Sequence, residues 1–222
     1  MAQRPLNLPW PYINQGHQLA QRLVFAGFGP HPGGLSYHDC SMYRNDGLLT
    51  NMEPSTDWVW VPELGRWGLD FGGTDEFVTL PYNEAPKLIT FAYWFYNPID
   101  NVHQRGMTLQ EQSGASYYAY LQYNKDTYDV NVGTQNSGVG VYRLGATTLT
   151  LNRWYHMAGT LDLGQSSPAN FHVYLDGRLD DGTTSGGGLP TASVATLVLG
   201  RLMTYYGQYF MADPCMWTRI LT

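Results

Sequence analysis

The chain has 222 residues, a formal charge of -6 and 14% charged residues, which is ample length for one all-β domain with a full core. Its 12 Lys and Arg are scattered singly, whereas a phosphate-reading surface needs them clustered, so nucleic acid is excluded as the main partner. No apolar run approaches the ~18 residues of a membrane-spanning helix. The 25 Gly, 13 Pro, 17 Tyr and 7 Trp are the composition of short strands separated by many turns.

Residues 1–22 are polar and Pro-rich, with Pro5, Pro9 and Pro11 around Trp10. They read as an extended N-terminal arm with one helical turn near 17–21; Trp10 and Tyr12 either bury against their own domain or dock the arm on a neighbouring subunit. No apolar stretch of the kind a secretory leader carries is visible there. A first strand is expected over 23–28. The loop after it contains Asp39-x-Ser41-x-x-x-Asn45-x-Gly47, short polar side chains placed where they can cap turns of the backbone. Residues 67–81, W-G-L-D-F-G-G-T-D-E-F-V-T-L-P, read as two strands around a Gly72-Gly73 corner. Leu69 and Phe71 alternate with Asp70 before it, and Phe77 and Leu80 carry the apolar side after it. Both glycines can take the positive φ such a corner requires, and Thr74, Asp75 and Glu76 put oxygens at its tip.

Leu88–Tyr96 is apolar or aromatic on both faces, as expected of a strand inside a two-sheet sandwich. Further strands are expected over 107–112, 117–123, 128–132, 147–151 and 154–161. Phe171–Leu175 then reaches Asp176-Gly177, a strong hairpin signal, and 178–183 returns. Strands over 195–200 and 209–218 finish the chain. There is no amphipathic helix and no internal repeat. The pattern is that of an all-β, two-sheet antiparallel β-sandwich or jelly roll. Cys40 and Cys215, the only cysteines, read as two free thiols, with a single bridge as the alternative; no C-x-x-C or Cys/His cluster suggests zinc.

The order of these pieces resembles the laminin-G-like/concanavalin A-like lectin-glucanase jelly-roll family. The matching residues begin with Asp39, Ser41, Asn45 and Gly47, then Leu69-Asp70-Phe71-x-Gly73-Thr74-Asp75-x-Phe77-Val78 and the strand around Trp94. They continue through Arg153-Trp154-Tyr155-His156-Met157-Ala158-Gly159-Thr160 and Val173-Tyr174-x-Asp176-Gly177 to Asp213-x-x-x-x-Thr218-Arg219-Ile220-Leu221. The resemblance covers about 20–222. It implies two stacked antiparallel sheets of roughly six or seven strands each, with the closing strand beside the first. Members of the family commonly bind glycans, proteins or a structural calcium. Two departures stand out. The family's usual Asp-Glu at the closing strand is Asp213-Pro214 here, and the chain stops at Leu221-Thr222 where relatives usually add a short helix. With no leader visible, the domain is similar to members encoded by bacteriophages and environmental bacteria.

Calcium needs six to eight oxygens. The Gly73–Asp75 corner could supply carbonyls and the Asp75 carboxylate, and Asp213 is the family's closing-strand acid, so Asp75 and Asp213 are the candidate Ca2+ ligands. Turn capping is the alternative for both. Retaining glucanases of this fold carry E-x-D-x-E or E-x-D-x-x-E on one strand, and no strand here does. Glu111 is followed by Gln-Ser-Gly, and the adjacent Asp75 and Glu76 point to opposite faces. No enzymatic activity is therefore expected. His38, His103, His156 and His172 form no catalytic order, and His156 reads as a packed structural residue. A carbohydrate or protein contact surface is expected at Tyr117, Tyr118, Tyr120, Tyr123 and Tyr128, with Gln122 and Asn124 beside them, and at Tyr205 and Tyr206 in a late loop; the alternative is that alternation turns half of them into the core.

Taken together, residues 23–222 read as one laminin-G-like domain acting as a non-enzymatic binding or structural module. The specific expectation is an oligomeric virion-surface protein of a bacteriophage, decorating a capsid or forming part of a fibre. Its partners would be capsid or fibre subunits and surface glycans. The alternative is a lectin-like carbohydrate-binding domain of an environmental bacterium.

Overall fold

In the computed structural model, which describes residues 13–28, 34–99, 103–111, 117–136, 139–165, 167–186 and 195–221, the strands form two large antiparallel sheets packed face to face. In chain order, β1 (Leu23–Ala26), β2 (Ser36–Tyr37), β3 (Gly47–Thr50) and β4 (Trp58–Val61) precede the glycine corner. The corner itself joins β5 (Arg66–Gly72) to β6 (Phe77–Asn83). β7 (Leu88–Tyr96), β8 (Gln104–Glu111), β9 (Tyr117–Asn124), β10 (Asp129–Asn136) and β11 (Val139–Gly145) follow. Next come β12 (Trp154–Asp162), β13 (Phe171–Leu175), β14 (Arg178–Leu179) and β15 (Asp181–Ser185). β16 (Ala195–Leu199), the small hairpin of β17 (Arg201–Leu202) and β18 (Tyr205–Tyr206), and β19 (Gln208–Trp217) complete the fold.

The eight-stranded sheet runs β14-β13-β12-β7-β19-β5-β4, with β1 also paired to β19. The nine-stranded sheet runs β15-β11-β10-β9-β8-β16-β6-β3-β2. Both sheets are wider than the expected six or seven strands, while the closing strand does lie beside the first, Ala26 opposite Cys215. The Asp176-Gly177 hairpin forms as expected, with φ of 48° and 76°, the pair of left-handed residues that a tight hairpin turn of this kind requires. In the glycine corner, Gly73 takes φ 83°; at Gly72 a Cβ would meet only the flexible carboxylate end of Glu76, so that position does not require glycine. The expected strand at 147–151 does not form. Its backbone is held by single hydrogen bonds instead, Thr147 N donating to Asp180 Oδ2 at 3.3 Å, Leu149 N to Tyr128 O at 2.6 Å and Thr150 N to the Tyr155 hydroxyl at 3.0 Å. The strand pairing at that edge is β11, which the sequence did not announce.

The loop motif has a physical explanation. Asp39 is almost fully buried, and its carboxylate accepts four hydrogen bonds. Oδ1 takes Ala26 N at 2.9 Å and Ser41 N at 2.8 Å; Oδ2 takes Ser41 Oγ at 2.7 Å and Asn45 N at 2.8 Å. Asn45 Nδ2 donates in turn to Val24 O at 3.0 Å. The motif therefore stitches the loop to β1, and a buried charge is tolerated because it is saturated with donors.

Alternation along β7 sends Ile89, Phe91, Tyr93 and Phe95 into the core between the sheets. The outward residues divide into two groups. Thr90 and Ala92 are buried because residues 13–22 and 217–221 lie over them. Trp217 Nε1 donates to Leu19 O at 2.6 Å, Arg219 donates to Gln18 O at 2.7 Å, and Thr90 Oγ1 donates to Arg219 O at 2.7 Å. Ile13 and the buried Ala20 belong to this covering layer, Ile13 packing against the small apolar cluster that includes Leu23, Ala92, Cys215 and Trp217. Residues 13–22 therefore pack on their own sheet, correcting the expectation of an arm over that span; they include the expected helical turn, Gln18–Ala20. Trp10 and Tyr12 lie outside the described residues. The other outward residues, Trp94 and Tyr96, stay half-exposed.

Candidate functional site

Pairing register places one residue from each of four neighbouring strands in a row across the outer face of the eight-stranded sheet. Trp154 on β12 faces Tyr96 on β7, Tyr96 faces Phe210 on β19, and Phe210 faces Asp70 on β5. Directly opposed residues share a face, and all four are half-exposed. The rings touch: Trp154 and Tyr96 have centroids 5.4 Å apart, and Tyr96 and Phe210 meet edge to face at 5.5 Å. With strands spaced ~4.8 Å apart, the row spans about 14 Å, ending in a carboxylate. Tyr96 donates its hydroxyl proton to Asn152 Oδ1 at 3.3 Å, which fixes the ring at its outer end.

A second row lies behind it. His156 pairs with Trp94, their rings edge to face at 5.2 Å, and Trp94 pairs with Ala212. Between this row and the covering segment of residues 13–22 opens a cavity of ≈ 340 Å³, whose lining includes Ile13, Asn14, His17, Trp94, His156 and Asp213. Burial holds the His156 imidazole below its ordinary pKa, with nearby Asp176 opposing the shift, so it is neutral at physiological pH and can both donate and accept a hydrogen bond. His156 therefore borders a cavity, whereas the sequence suggested a residue simply packed away.

Asp70 is the chemically distinct member of the face. It has no hydrogen bond or ion pair among the described residues. Burial first, then the charges of Asp57 and Glu76, push its carboxyl up to about 6. Arg66, on the same outward face of β5, is not available to it because its guanidinium is ion-paired with Asp213.

The expected site residues fall elsewhere. Asp75 and Asp213 do not come together. Gln208 pairs with Gly72 beside the corner, and Asp213 lies five positions further along β19, roughly 17 Å away at strand rise. Asp75 Oδ2 accepts Asn51 Nδ2 at 2.9 Å, tying the corner to the end of β3, while the largely buried Asp213 carboxylate is taken by Arg66. Among the described residues no three His, Cys, Asp or Glu side chains converge on a cation position. The tyrosine surface also does not form. Tyr118 and Tyr123 are core residues, Tyr118 donating to Ala85 O at 3.2 Å, and Tyr120 is buried on the outer side of the nine-stranded sheet. The Tyr117 side chain lies outside the described residues. Tyr128 is exposed in the β9–β10 turn, Tyr205 lies over the Arg105 guanidinium at 5.2 Å, and Tyr206 is tilted against Phe77; these three do not make one surface with the β9 tyrosines. Cys40 and Cys215 are both free and buried, placed on either side of Ala26.

The two stacked antiparallel sheets define a concanavalin A-like β-sandwich. A family model described as the concanavalin A-like lectin/glucanases superfamily matches residues 71–213, well over half of the chain, and the chain belongs to that superfamily. No curated protein matches the sequence significantly. Among solved structures, domain 4 of AbnA, a GH43 extracellular arabinanase from Geobacillus stearothermophilus seen in complex with arabinotriose, is similar with a TM-score of 0.64. Its identity is 13%, covering 90% of this chain and 94% of that one. Trypanosoma rangeli sialidase is similar at a TM-score of 0.59 and 16% identity, covering 91% of this chain but only 31% of the sialidase. The native heptameric SAP-like pentraxin of Limulus polyphemus gives a TM-score of 0.53 and 16% identity, over 69% of this chain and 76% of that one. At these identities the likeness is one of fold.

Proposed function

We propose that this protein is a non-catalytic carbohydrate-binding module that holds a glycan along the Trp154–Tyr96–Phe210 row. The observation that carries the reading is the row itself: three touching aromatic rings, half-exposed, on three hydrogen-bonded strands that cannot move apart. Rigid rings present apolar area at little conformational cost, as a sugar face requires. The cavity beside Trp94 and His156 would receive a branching or terminal group. A fold of this kind holding arabinotriose in the arabinanase domain supports the reading.

Catalysis is not part of the proposal. Glycoside hydrolysis needs two carboxyl groups flanking the scissile bond from opposite sides; of the acids beside the row, Asp57, Asp70 and Glu76 stand together at one end, and Asp176 at the other is already held by Arg153 and His156 N. The virion-surface reading rested in part on an arm able to reach a neighbouring subunit. Residues 13–22 fold back on their own sheet, which removes the support of the arm over that span, and no other feature of the described residues favours that reading over the glycan one.

A glycan array tests the proposal. The wild-type protein is expected to bind at least one glycan, and the Trp154→Ala variant, with an unchanged circular-dichroism spectrum, is expected to lose that signal. A folded Trp154→Ala variant that binds the same glycans equally well would overturn the placement on this face.

A further inference from the structure

Glycans differ in charge as well as shape, and the two ends of the aromatic row are electrically unlike. At the Trp154 end the neighbouring carboxylate, Asp176, is already engaged: it accepts from Arg153 at 3.1 Å and from His156 N at 2.9 Å. At the other end Asp70 has no partner among the described residues, and the charged groups that face it, Asp57 from the turn before β4 and Glu76 from the β5–β6 corner, carry the same sign. The Asp57 carboxylate accepts Glu53 N and Thr56 Oγ1, and Glu76 accepts Thr74 N, so each is held in place without being neutralised. The nearby guanidinium of Arg66 is committed to Asp213. A half-buried carboxylate beside two like charges is unfavourable in the free protein, and a cation arriving there relieves it. The adjacent Phe210 and Tyr96 rings favour the same sign of ligand, because the ring faces are electron-rich.

We infer that the ligand of this face is an amine-bearing, cationic glycan, whose protonated amino group is received by Asp70 while its rings lie along Phe210, Tyr96 and Trp154. This rests on the proposed function and names the ligand class of that same site. Anionic sugars are disfavoured there by repulsion, and neutral sugars gain only the contact with the rings. Because the Asp70 carboxyl titrates near 6, the attraction is full above that pH while the amine stays protonated, and it fades as the solution is acidified through that value.

Titration calorimetry of the full chain with two probes that differ only at the 2-amino group, a glucosamine trimer and its neutral N-acetylated counterpart, separates this inference from the reading it rests on. The cationic trimer is expected to bind about tenfold or more tighter at pH 7, as befits a charge-assisted contact. Asp70→Asn, which keeps the shape, is expected to remove that preference, and Trp154→Ala to weaken both probes. Equal affinity for the two trimers, with both weakened by Trp154→Ala, would overturn the cationic assignment and leave the glycan face standing. If neither trimer binds but another glycan does and depends on Trp154, the cationic assignment again falls alone. If no glycan binds at all, both fall.

Discussion

Replacing Asp70 by Asn is expected to stabilise the protein at neutral pH, an unusual outcome for a polar substitution on a folded domain. In the native state the Asp70 carboxyl is pushed from 3.8 to about 6 by burial and by Asp57 and Glu76. Between those two values the native state holds a proton that the unfolded chain has released. Stability attributable to this group therefore falls as pH rises through that window, and the full penalty is present above it. The shift of about two units corresponds to roughly 3 kcal/mol at ~1.4 kcal/mol per unit. The group is half open to solvent, so screening reduces this to about 1–2 kcal/mol. For a domain of this size that is roughly 2–6 °C in melting temperature. Asp129 is also raised to about 6 by burial, so the wild-type pH profile contains both groups, and only the difference between wild type and Asp70→Asn isolates one. Thermal melts of both proteins at pH 4 and pH 7.5 provide the measurement. The variant should melt higher at pH 7.5, with the gap closing towards pH 4. A variant that melts lower at pH 7.5, or a gap that does not depend on pH, would refute the picture of an uncompensated carboxylate.

Three further outcomes are expected. Asp39→Ala removes the acceptor of four hydrogen bonds at a buried position and should cost about 3–5 kcal/mol in urea denaturation; a loss below 1 kcal/mol would mean the loop is not stitched to β1 through this residue. Chelator or added calcium should leave the melting temperature unchanged within about a degree, since Asp75 and Asp213 have separate partners; binding tight enough to matter would shift it by several degrees. The thiols of Cys40 and Cys215 are buried, and burial raises both above their ordinary pKa, so a thiol reagent should react slowly with the native protein and titrate two groups after denaturation. A count of zero after denaturation without reductant would show a bridge.

Much of the frame was legible because it is encoded locally. The Asp39 to Gly47 spacing, the glycine corner and the Asp176-Gly177 turn each carry their geometry in a few adjacent residues. The face proposed to hold a glycan was not legible, for a reason visible in β7. Leu88–Tyr96 is apolar on both sides, and sequence cannot separate Thr90 and Ala92, covered by residues 13–22 and 217–221, from Trp94 and Tyr96, left open. That distinction depends on where those two segments fold back. The tyrosines of β9 misled for a related reason. Strict alternation would put Tyr118 on the same side as Tyr120, but the register shifts between Leu109 and Gln110 on the partner strand, and Tyr118 enters the core. The Arg66–Asp213 pair joins residues far apart in the chain, so nothing near Asp213 announced that its carboxylate was already taken. The signal that could have found the row was Trp154 of the W-Y-H-M-A segment, read only as a family marker, together with Trp94 and Tyr96 at a spacing of two.

The central claim is that a glycan lies along the outer face of the eight-stranded sheet, and the seven tryptophans report on it directly. Each indole N–H gives its own signal in a nitrogen-edited proton NMR spectrum, assignable by single substitutions. Titration with the glucosamine trimer is expected to shift the signals of Trp154 and Trp94, and to leave those of Trp58, Trp60 and Trp67 in place, because these lie towards the β4 end of the inner face and are not part of the row. Saturable shifts confined to Trp58, Trp60 or Trp67, with Trp154 and Trp94 unmoved, would contradict it.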